Sequence, residues 1–388
     1  LGWVPETLKY DKGSDGEEKV IPQIYIPKTG GQICESIVKL AEEVPEVEAL
    51  VGVGVYKHRK GAIKGFLDSL VVEDCAEAGA LGFTNTLRLK HRKPFVNLPS
   101  TRVVYGEEVR SCVIAKEGKK FVCSDLSSME NLWSFNYQIA HDKEYVLSQQ
   151  SNDYDAHLNL CLKGGMLSQA EVNFFKICEK GFPKEQYELS QELLDLLNLS
   201  EEDKKLKLKL ISKKRGIGKN CGYALQYSCG VKTLARTGGI TEKEAKVILK
   251  AYKKMNWSIE AVVKEQKRKT VSHGTYQLNP YNGIWYFLKT EKDSYSTLMQ
   301  GSGSYLLDLW VKQIDLLKKS NRYNIKGSLN LVATVHDENL QEFDDLDGNE
   351  ELIKEMFNEA LDNVNNHLGV EIKFGCDTQF GYKYSEIH

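Results

Sequence analysis

Two acids, Asp337 and Glu338, stand side by side inside the otherwise apolar run LNLVATVHDENLQEF at 329–343. A carboxylate held among Val, Ala and Leu is costly unless something positive sits beside it. The apolar stretches on either side leave just enough residues for a tight hairpin, so His336, Asp337 and Glu338 are expected to cluster at its tip. A further acid, Asp125, ends the short β-like run 121–124 within KKFVCSDLSSMENLWSFNYQIA. If the strands are neighbours, Asp125 and Asp337 face each other, and such anions repel unless cations bridge them. Hard divalent ions with oxygen ligands, Mg2+ above all, suit that role, and a pair of them about 4 Å apart would serve in-line phosphoryl transfer. A single Asp in a turn is ordinary turn chemistry, so these acids alone do not decide the matter.

A second pattern, KKRGIGKNCGYALQYSCG, sets Arg215, Lys219, Tyr223 and Tyr227 four residues apart. On a helix each such step turns by only about 40°, which gathers the cations and the rings on one broad face. Cations hold phosphates while a ring stacks on a base or sugar. The same spacing also describes a plain amphipathic surface helix. The glycines inside it each cost roughly 1 kcal/mol relative to Ala, which argues for a mobile helix rather than an independently stable one.

The elements that must position these residues follow from the rest of the chain. At 388 residues the protein exceeds one average domain, and two or three subdomains are expected. Its 52 basic and 54 acidic residues nearly cancel, so net charge neither requires nor excludes a nucleic-acid partner. The 9 cysteines form no CxxC pair, which fits reduced thiols in a cytoplasm better than a disulfide frame or a zinc site. No run is long and apolar enough to span a bilayer, and no signal peptide opens the chain. Residues 1–22 read as irregular connection before a helical pattern near Ile33, and 51–70 mixes an apolar face with Lys57, His58, Arg59, Lys60 and Lys64. Segment 84–104 is basic and broken by Pro94 and Pro99, which suits a loop tracking a phosphate backbone.

After Asp125, Ser127 or Ser128 is placed to cap a helix running through Trp133 and Tyr137. Residues 158–210 are helical and lysine-rich, and Thr241 with Glu244 forms a capping box. A hairpin is expected around Asn282-Gly283, and helices over 299–317 and 350–368. Strands separated by long helical stretches give a mixed α/β (α+β) chain with a small antiparallel sheet.

In this order, the motifs DLSSME, RGIGKNCGYALQY and VHDE resemble the polymerase motifs of family A DNA polymerases, the DNA polymerase I type, and most closely its bacteriophage branch. LGWVPETLKYDKG is similar to a stretch in or just beyond the thumb of phage members, and LPSTRVVYGEEVRSC to their segment leading into the first motif. The resemblance also takes in DAH at Asp155–His157 and LMQGSGSYLLDLW. It implies a right-hand polymerase with a small antiparallel palm sheet and a mostly helical fingers subdomain. Residues 1–82 would be partial thumb and connection, 83–150 palm with the first motif, 151–290 fingers with an insertion near 160–212, and 291–388 palm with the third motif and C-terminus.

By the same resemblance, Asp125, Asp337 and the backbone carbonyl of Leu126 hold two Mg2+ ions, with Glu338 a neighbouring acid. Glu130 is the steric gate against a ribose 2′-hydroxyl. Arg215, Lys219 and His157 hold the triphosphate, and Lys219 donates a proton to departing pyrophosphate. Tyr223 stacks near the nucleotide and Tyr227 near the template base, while Arg88, Asn97, Arg102, Gln300 and His336 contact primer and template. Implied partners are primer-template DNA, dNTPs, and a processivity factor or a separate exonuclease or thumb polypeptide, with no membrane; the expected location is the cytoplasm of a phage host.

The chain departs from the family pattern at Ala224 and Ser228, where glycines are usual, at Leu132, where an Arg is common, and at Leu87, where the family has Thr-Gly-Arg. The opening Leu1 points to a piece of a longer protein, and the terminal His388 with Tyr384 upstream resembles the family's natural C-terminus. Two other readings fit parts of the pattern. One is a single-subunit RNA polymerase, against which Glu130 speaks, and the other a nucleic-acid-binding remnant.

Overall fold

The computed structural model describes residues 3–12, 18–26, 33–72, 75–76, 79–91, 98–226 and 228–387. The chain begins with a hairpin of β1 (Thr7–Lys12) and β2 (Glu18–Gln23), followed by α1 (Glu35–Glu43) and α2 (Glu48–Leu67). Short ribbons pair β3 (Leu70–Val72) with β4 (Cys75–Ala76) and β5 (Ala80–Phe83) with β6 (Leu89–His91) before α3 (Gly106–Ser111). Then come β7 (Lys119–Leu126), α4 (Met129–Gln138) and α5 (Lys143–Ser148). A helical block runs through α6 (Ala156–Lys163), α7 (Gln169–Cys178), α8 (Gln191–Leu197), α9 (Glu201–Gln226), α10 (Val231–Gly238) and α11 (Glu242–Met255). α12 (Trp257–Glu265) leads to a small sheet of β8 (Arg268–Val271), β9 (Gly274–Leu278) and β10 (Trp285–Leu288). α13 (Ser294–Lys319), β11 (Leu329–Val335), β12 (Glu338–Asp344), α14 (Asn349–Leu368) and β13 (Cys376–Gly381) complete the order.

The main sheet has the order β11-β12-β7-β13, with every neighbour antiparallel. β7 is central and apolar on both sides, as a strand covered on both faces must be. Val122 and Leu126 enter a large core with Met129, Trp133, Trp310, Phe343 and Phe357, built by α4, α13 and α14. Phe121 and Cys123 enter a smaller cluster with Ala333, Leu340 and Tyr384. Polar side chains tie α4 to α12 and α13. Tyr137 Oη and Ser302 Oγ are 2.8 Å apart, and Ser258 Oγ donates to Gln138 Oε1 at 2.8 Å. Such buried groups specify one arrangement because each must find its partner.

The helical block has its own cores, one of Leu158, Phe174, Phe175, Leu193 and Ile211, another of Leu160, Cys221, Leu234 and Ile248. Val262 of α12 packs instead into the core beside the main sheet. Where α6 crosses α9, a Cβ on Gly218 would lie 2.5 Å from the His157 carbonyl oxygen and 2.6 Å from Cys161 Sγ. Glycine there permits backbone-to-backbone contact and sets the spacing of the two helices.

Several expectations are refined. The hairpin of 329–343 forms, with Val335 paired to Glu338 and only His336 and Asp337 between the strands. His336 has φ 57°, the left-handed conformation that such a short loop demands. The capping box of Thr241 and Glu244 is made by both bonds. Ser128 does sit before α4, but it has φ 52° and no side-chain capping bond, so the tight turn out of β7 overrides the cap expected of a serine. Asn282-Gly283 is not a two-residue turn, because pairing stops at Leu278 and Trp285 and leaves a longer loop. The opening segment is not wholly irregular but contains β1 and β2. Arg59, in the basic stretch 51–70, is buried, its Nε donating to the Val104 carbonyl at 3.0 Å. Among the described residues no helix is long and apolar enough to cross a membrane.

Gly218 and Gly216 differ in what surrounds them, since nothing lies within 4 Å of a Cβ on Gly216. Gly216→Ala is therefore expected to stabilise the chain by about 1 kcal/mol through helix propensity. Gly218→Ala is expected to destabilise it by about 1–3 kcal/mol through overpacking. Denaturant unfolding of both variants checks this, and equal, benign effects would refute the close crossing of α6 and α9.

Candidate functional site

The register of the main sheet brings acids together from distant parts of the chain. Asp125 lies opposite Glu338 on β12 and opposite Asp377 on β13. Directly opposed residues of antiparallel strands project to the same face, so these carboxylates form one row across the sheet. The Leu126 N–H donates to the Asp337 carbonyl at 3.1 Å, which fixes the hairpin tip against the end of β7. Asp125, His336, Asp337, Glu338 and Asp377 border a depression of about 280 Å3.

The environments of these acids differ. Glu338 is 7% exposed and accepts from the Tyr384 hydroxyl at 3.4 Å. Burial raises the pKa of Asp337; Arg88 and His336 pull it down, and Glu130 pushes it up. A half-buried oxygen donor held above its ordinary pKa gains from a cation, so the site suits a hard divalent ion. Among the described residues no three His, Cys, Asp or Glu side chains converge into a ready coordination shell.

Glu130 sits in the first turn of α4, and Arg88 Nη2 donates to its Oε1 at 3.1 Å. Arg88 is set by a turn in which Leu87 has φ 62° and accepts from Ser304 Oγ at 3.0 Å. Leu87 thus holds a left-handed conformation at a position where the resembling family has glycine. Ser228, with φ 56°, does the same just beyond α9. At both departures the backbone keeps the conformation glycine would favour, at a cost of order 1–2 kcal/mol each. Arg88 Nε is buried and has no hydrogen-bond partner among the described residues.

On the helical side, Asp155 caps α6 by accepting from the His157 and Leu158 N–H groups at 3.1 and 3.0 Å. Its other oxygen accepts from Arg215 Nε at 2.7 Å, locking the middle of α9 to the start of α6. Burial acts to raise the Asp155 pKa, but the Leu158 N–H and Arg215 outweigh it and leave it lowered. The His157 and Tyr223 rings are 5.9 Å apart, Lys219 is exposed, and Tyr223 is 49% exposed. A cleft of about 500 Å3 separates this face from α4, lined by Ser128, Asn131, His157, Gly222, Tyr223 and Gln226. Its walls offer rings, amides and an imidazole, the last within electrostatic reach of Arg215 and Lys219, a set suited to a phosphorylated, planar ligand.

The other residues singled out by sequence are dispersed. Arg102 is exposed in the turn after Ser100, and Gln300 is half-buried on α13. His336 is exposed and close enough to His91 to lower that residue's pKa, after the larger effect of burial. Asn97, Tyr227 and His388 lie outside the described residues. Sequence reasoning missed Asp377, whose place in the row depends on pairing with β7, and missed Asp155 as the partner of Arg215. The acid just ahead of α6 is the signal for its cap, but its bond to Arg215 depends on the crossing of α6 and α9.

Burial lowers the His157 pKa below its ordinary 6.5, Asp155 opposes this, and Arg215 and Lys219 add to it. A folded pKa below the unfolded one means that the stability linked to neutral His157 is present above the unfolded value and lost as pH falls through the folded one. An NMR titration of the His157 ring is expected to give a midpoint below 6.5. Asp155→Asn is expected to move it lower still, and Lys219→Gln to move it up. A midpoint at or above the ordinary value would refute this electrostatic account.

No protein-family model matches the chain. The DNA polymerase I of Helicobacter pylori strain J99 is 31% identical over 146 residues, covering 35% of this chain and 16% of that protein. The DNA polymerase I of H. pylori strain 26695 matches to the same extent. A solved structure, the POL domain of Pol1 from M. smegmatis in complex with DNA primer-template and dNTP, superposes with a TM-score of 0.61 at 16% identity. That superposition covers 94% of this chain and 58% of the other. The matched region is thus a minor part of the curated relatives' length and just over half of the solved domain. The chain has sequence similarity to DNA polymerase I over part of its length, and its mixed helix-and-sheet fold is that of a DNA polymerase POL domain.

Proposed function

We propose that the chain catalyses template-directed DNA synthesis, adding dNTPs to a primer 3′-hydroxyl, with 83–150 and 291–388 serving as palm and the helical block as fingers. The observation that carries this reading is the register that pairs Asp125 with Glu338 and bonds the Leu126 N–H to Asp337, on a sheet end beside a cleft walled by His157 and Tyr223. The partial likeness to DNA polymerase I supports it. The similarity of the opening segment to phage members is the support for a role in phage replication.

Asp125, Asp337 and the Leu126 carbonyl would hold divalent cations, Mg2+ by the chemistry of the donors. When bound, these would neutralise phosphate charge and make the primer hydroxyl a better nucleophile. Arg215, Lys219 and His157 bind the triphosphate in this reading, with Arg215 prevented from swinging away by Asp155. Glu130, braced by Arg88, narrows the space beside the sugar and excludes a 2′-hydroxyl. Tyr223 supplies a stacking surface, and Lys219, exposed one turn before Tyr223 on α9, would give a proton to departing pyrophosphate. The buried, unpartnered Nε of Arg88 is a donor that primer or template would satisfy.

In primer extension, Asp337→Ala is expected to lower the rate by at least about a thousandfold, the equivalent of several kcal/mol of lost charge stabilisation. Binding of primer-template should hold nearly constant. Unchanged extension would assign the activity to another site. Glu130→Ala is expected to admit rNTPs that the wild-type chain rejects, and a wild-type preference for rNTPs would overturn the choice of DNA over RNA synthesis.

A further inference from the structure

α9 carries its charge on two adjoining arcs. From Lys204 to Lys219 it holds eight cations and no carboxylate. Four of them are committed to the protein. Lys204 pairs with Glu201, Lys207 with Glu171 and Arg215 with Asp155, while Lys214 Nζ donates to the Met166 carbonyl. The remaining four, Lys205, Lys209, Lys213 and Lys219, are exposed and form no close ion pair among the described residues, Lys205 lying only near enough to Glu201 to help lower its pKa.

The two sets are sorted by the geometry of the helix. At about 100° per residue, the committed cations fall within an arc of about 100°, and the uncommitted ones share an adjoining arc of about 120° that begins at Lys219, about 40° past Arg215. Tyr223 lies in that second arc, and Tyr223 lines the cleft. α9 is continuous from Glu201 to Gln226, so Lys205, Lys209 and Lys213 form a column leading along one face to Lys219, over about 21 Å. The helices preceding the column, α7 and α8, bury their apolar faces against the first half of α9 and leave the lysine face open.

We infer that this column is a guide for polyphosphate, capturing the triphosphate of an incoming nucleotide and passing it to Lys219. The inference rests on the nucleotide-binding reading above and gives a function to residues upstream of the second motif. A flexible ammonium is a strongly hydrated point charge, suited to transient contact with a moving phosphate rather than to fixed recognition. A line of such charges beside a cleft raises the local concentration of an anion and its rate of entry. The column is a single file of four lysines wound over that arc and bounded by Glu201 and Glu202 at its outer end, a shape that fits a linear polyphosphate better than a duplex.

The test is the full chain with Lys205→Gln, Lys209→Gln and Lys213→Gln combined. Gln keeps helix propensity at these exposed sites, so the fold is retained. Calorimetric binding of inorganic tripolyphosphate at low salt is expected to weaken about fivefold, with a flatter salt dependence. KM for dNTP should rise about as much, while kcat and primer-template affinity stay within about twofold. Unchanged tripolyphosphate binding would overturn the proposal, as would an equal loss of primer-template affinity, which would make the column a DNA track. A wild-type chain that binds tripolyphosphate through the column but extends no primer would sink the polymerase reading and leave this one standing. Normal extension with a silent triple variant would do the reverse.

Discussion

The structure depends on the antiparallel pairing of β7 with β12. One register places Asp125 beside Glu338 and hangs the two-residue loop of His336 and Asp337 on the Leu126 N–H. A slip of one residue would turn Asp125 into the core that holds Val122 and Leu126, and would drive those side chains into the smaller cluster of Phe121 and Cys123. The apolar faces on both sides of β7 make that slip prohibitive. The same burial that stabilises the sheet therefore fixes the position of the acids, and the proposed chemistry is tied to packing rather than to loop conformation.

The second constraint is the crossing of α6 and α9. Gly218 lets the two backbones touch, and the Asp155–Arg215 bond fixes α9 along its axis. His157 and Tyr223 then form one wall of the cleft, while α4, held by Tyr137, Ser134 and Gln138 to its neighbours, forms the other. The walls belong to separate hydrophobic cores. A cleft between independently packed units is a natural place for closure on a ligand.

Much of this was legible in the sequence because local patterns agreed with the fold. The apolar runs on either side of His336, Asp337 and Glu338 sufficed for the hairpin bearing Asp337, though not for placing Glu338 within β12 rather than at its tip. The four-residue spacing of Arg215, Lys219 and Tyr223 sufficed for a shared helix face. Thr241 and Glu244 marked a helix start that both bonds confirm. What was not legible depends on partners far away in the chain. Asp377 joins the acid row only through β13 pairing with β7, and Arg215 finds Asp155 only when α9 lies across α6. Ser128 is a good capping residue by type, yet the tight exit from β7 forces it into a left-handed conformation. Leu87 and Ser228 show the same lesson: each is a non-glycine residue held in a left-handed conformation by its surroundings.

The central claim is that Asp125 and Asp337, on different strands, serve one cation site. Mn2+ binding by the intact chain, followed through the EPR signal of the free ion, tests it without relying on catalysis. The account predicts that Asp125→Asn and Asp337→Asn each weaken the same binding event, and that the double variant loses little more than either one alone. Full-strength Mn2+ binding by either single variant, or additive losses from independent sites, would contradict it.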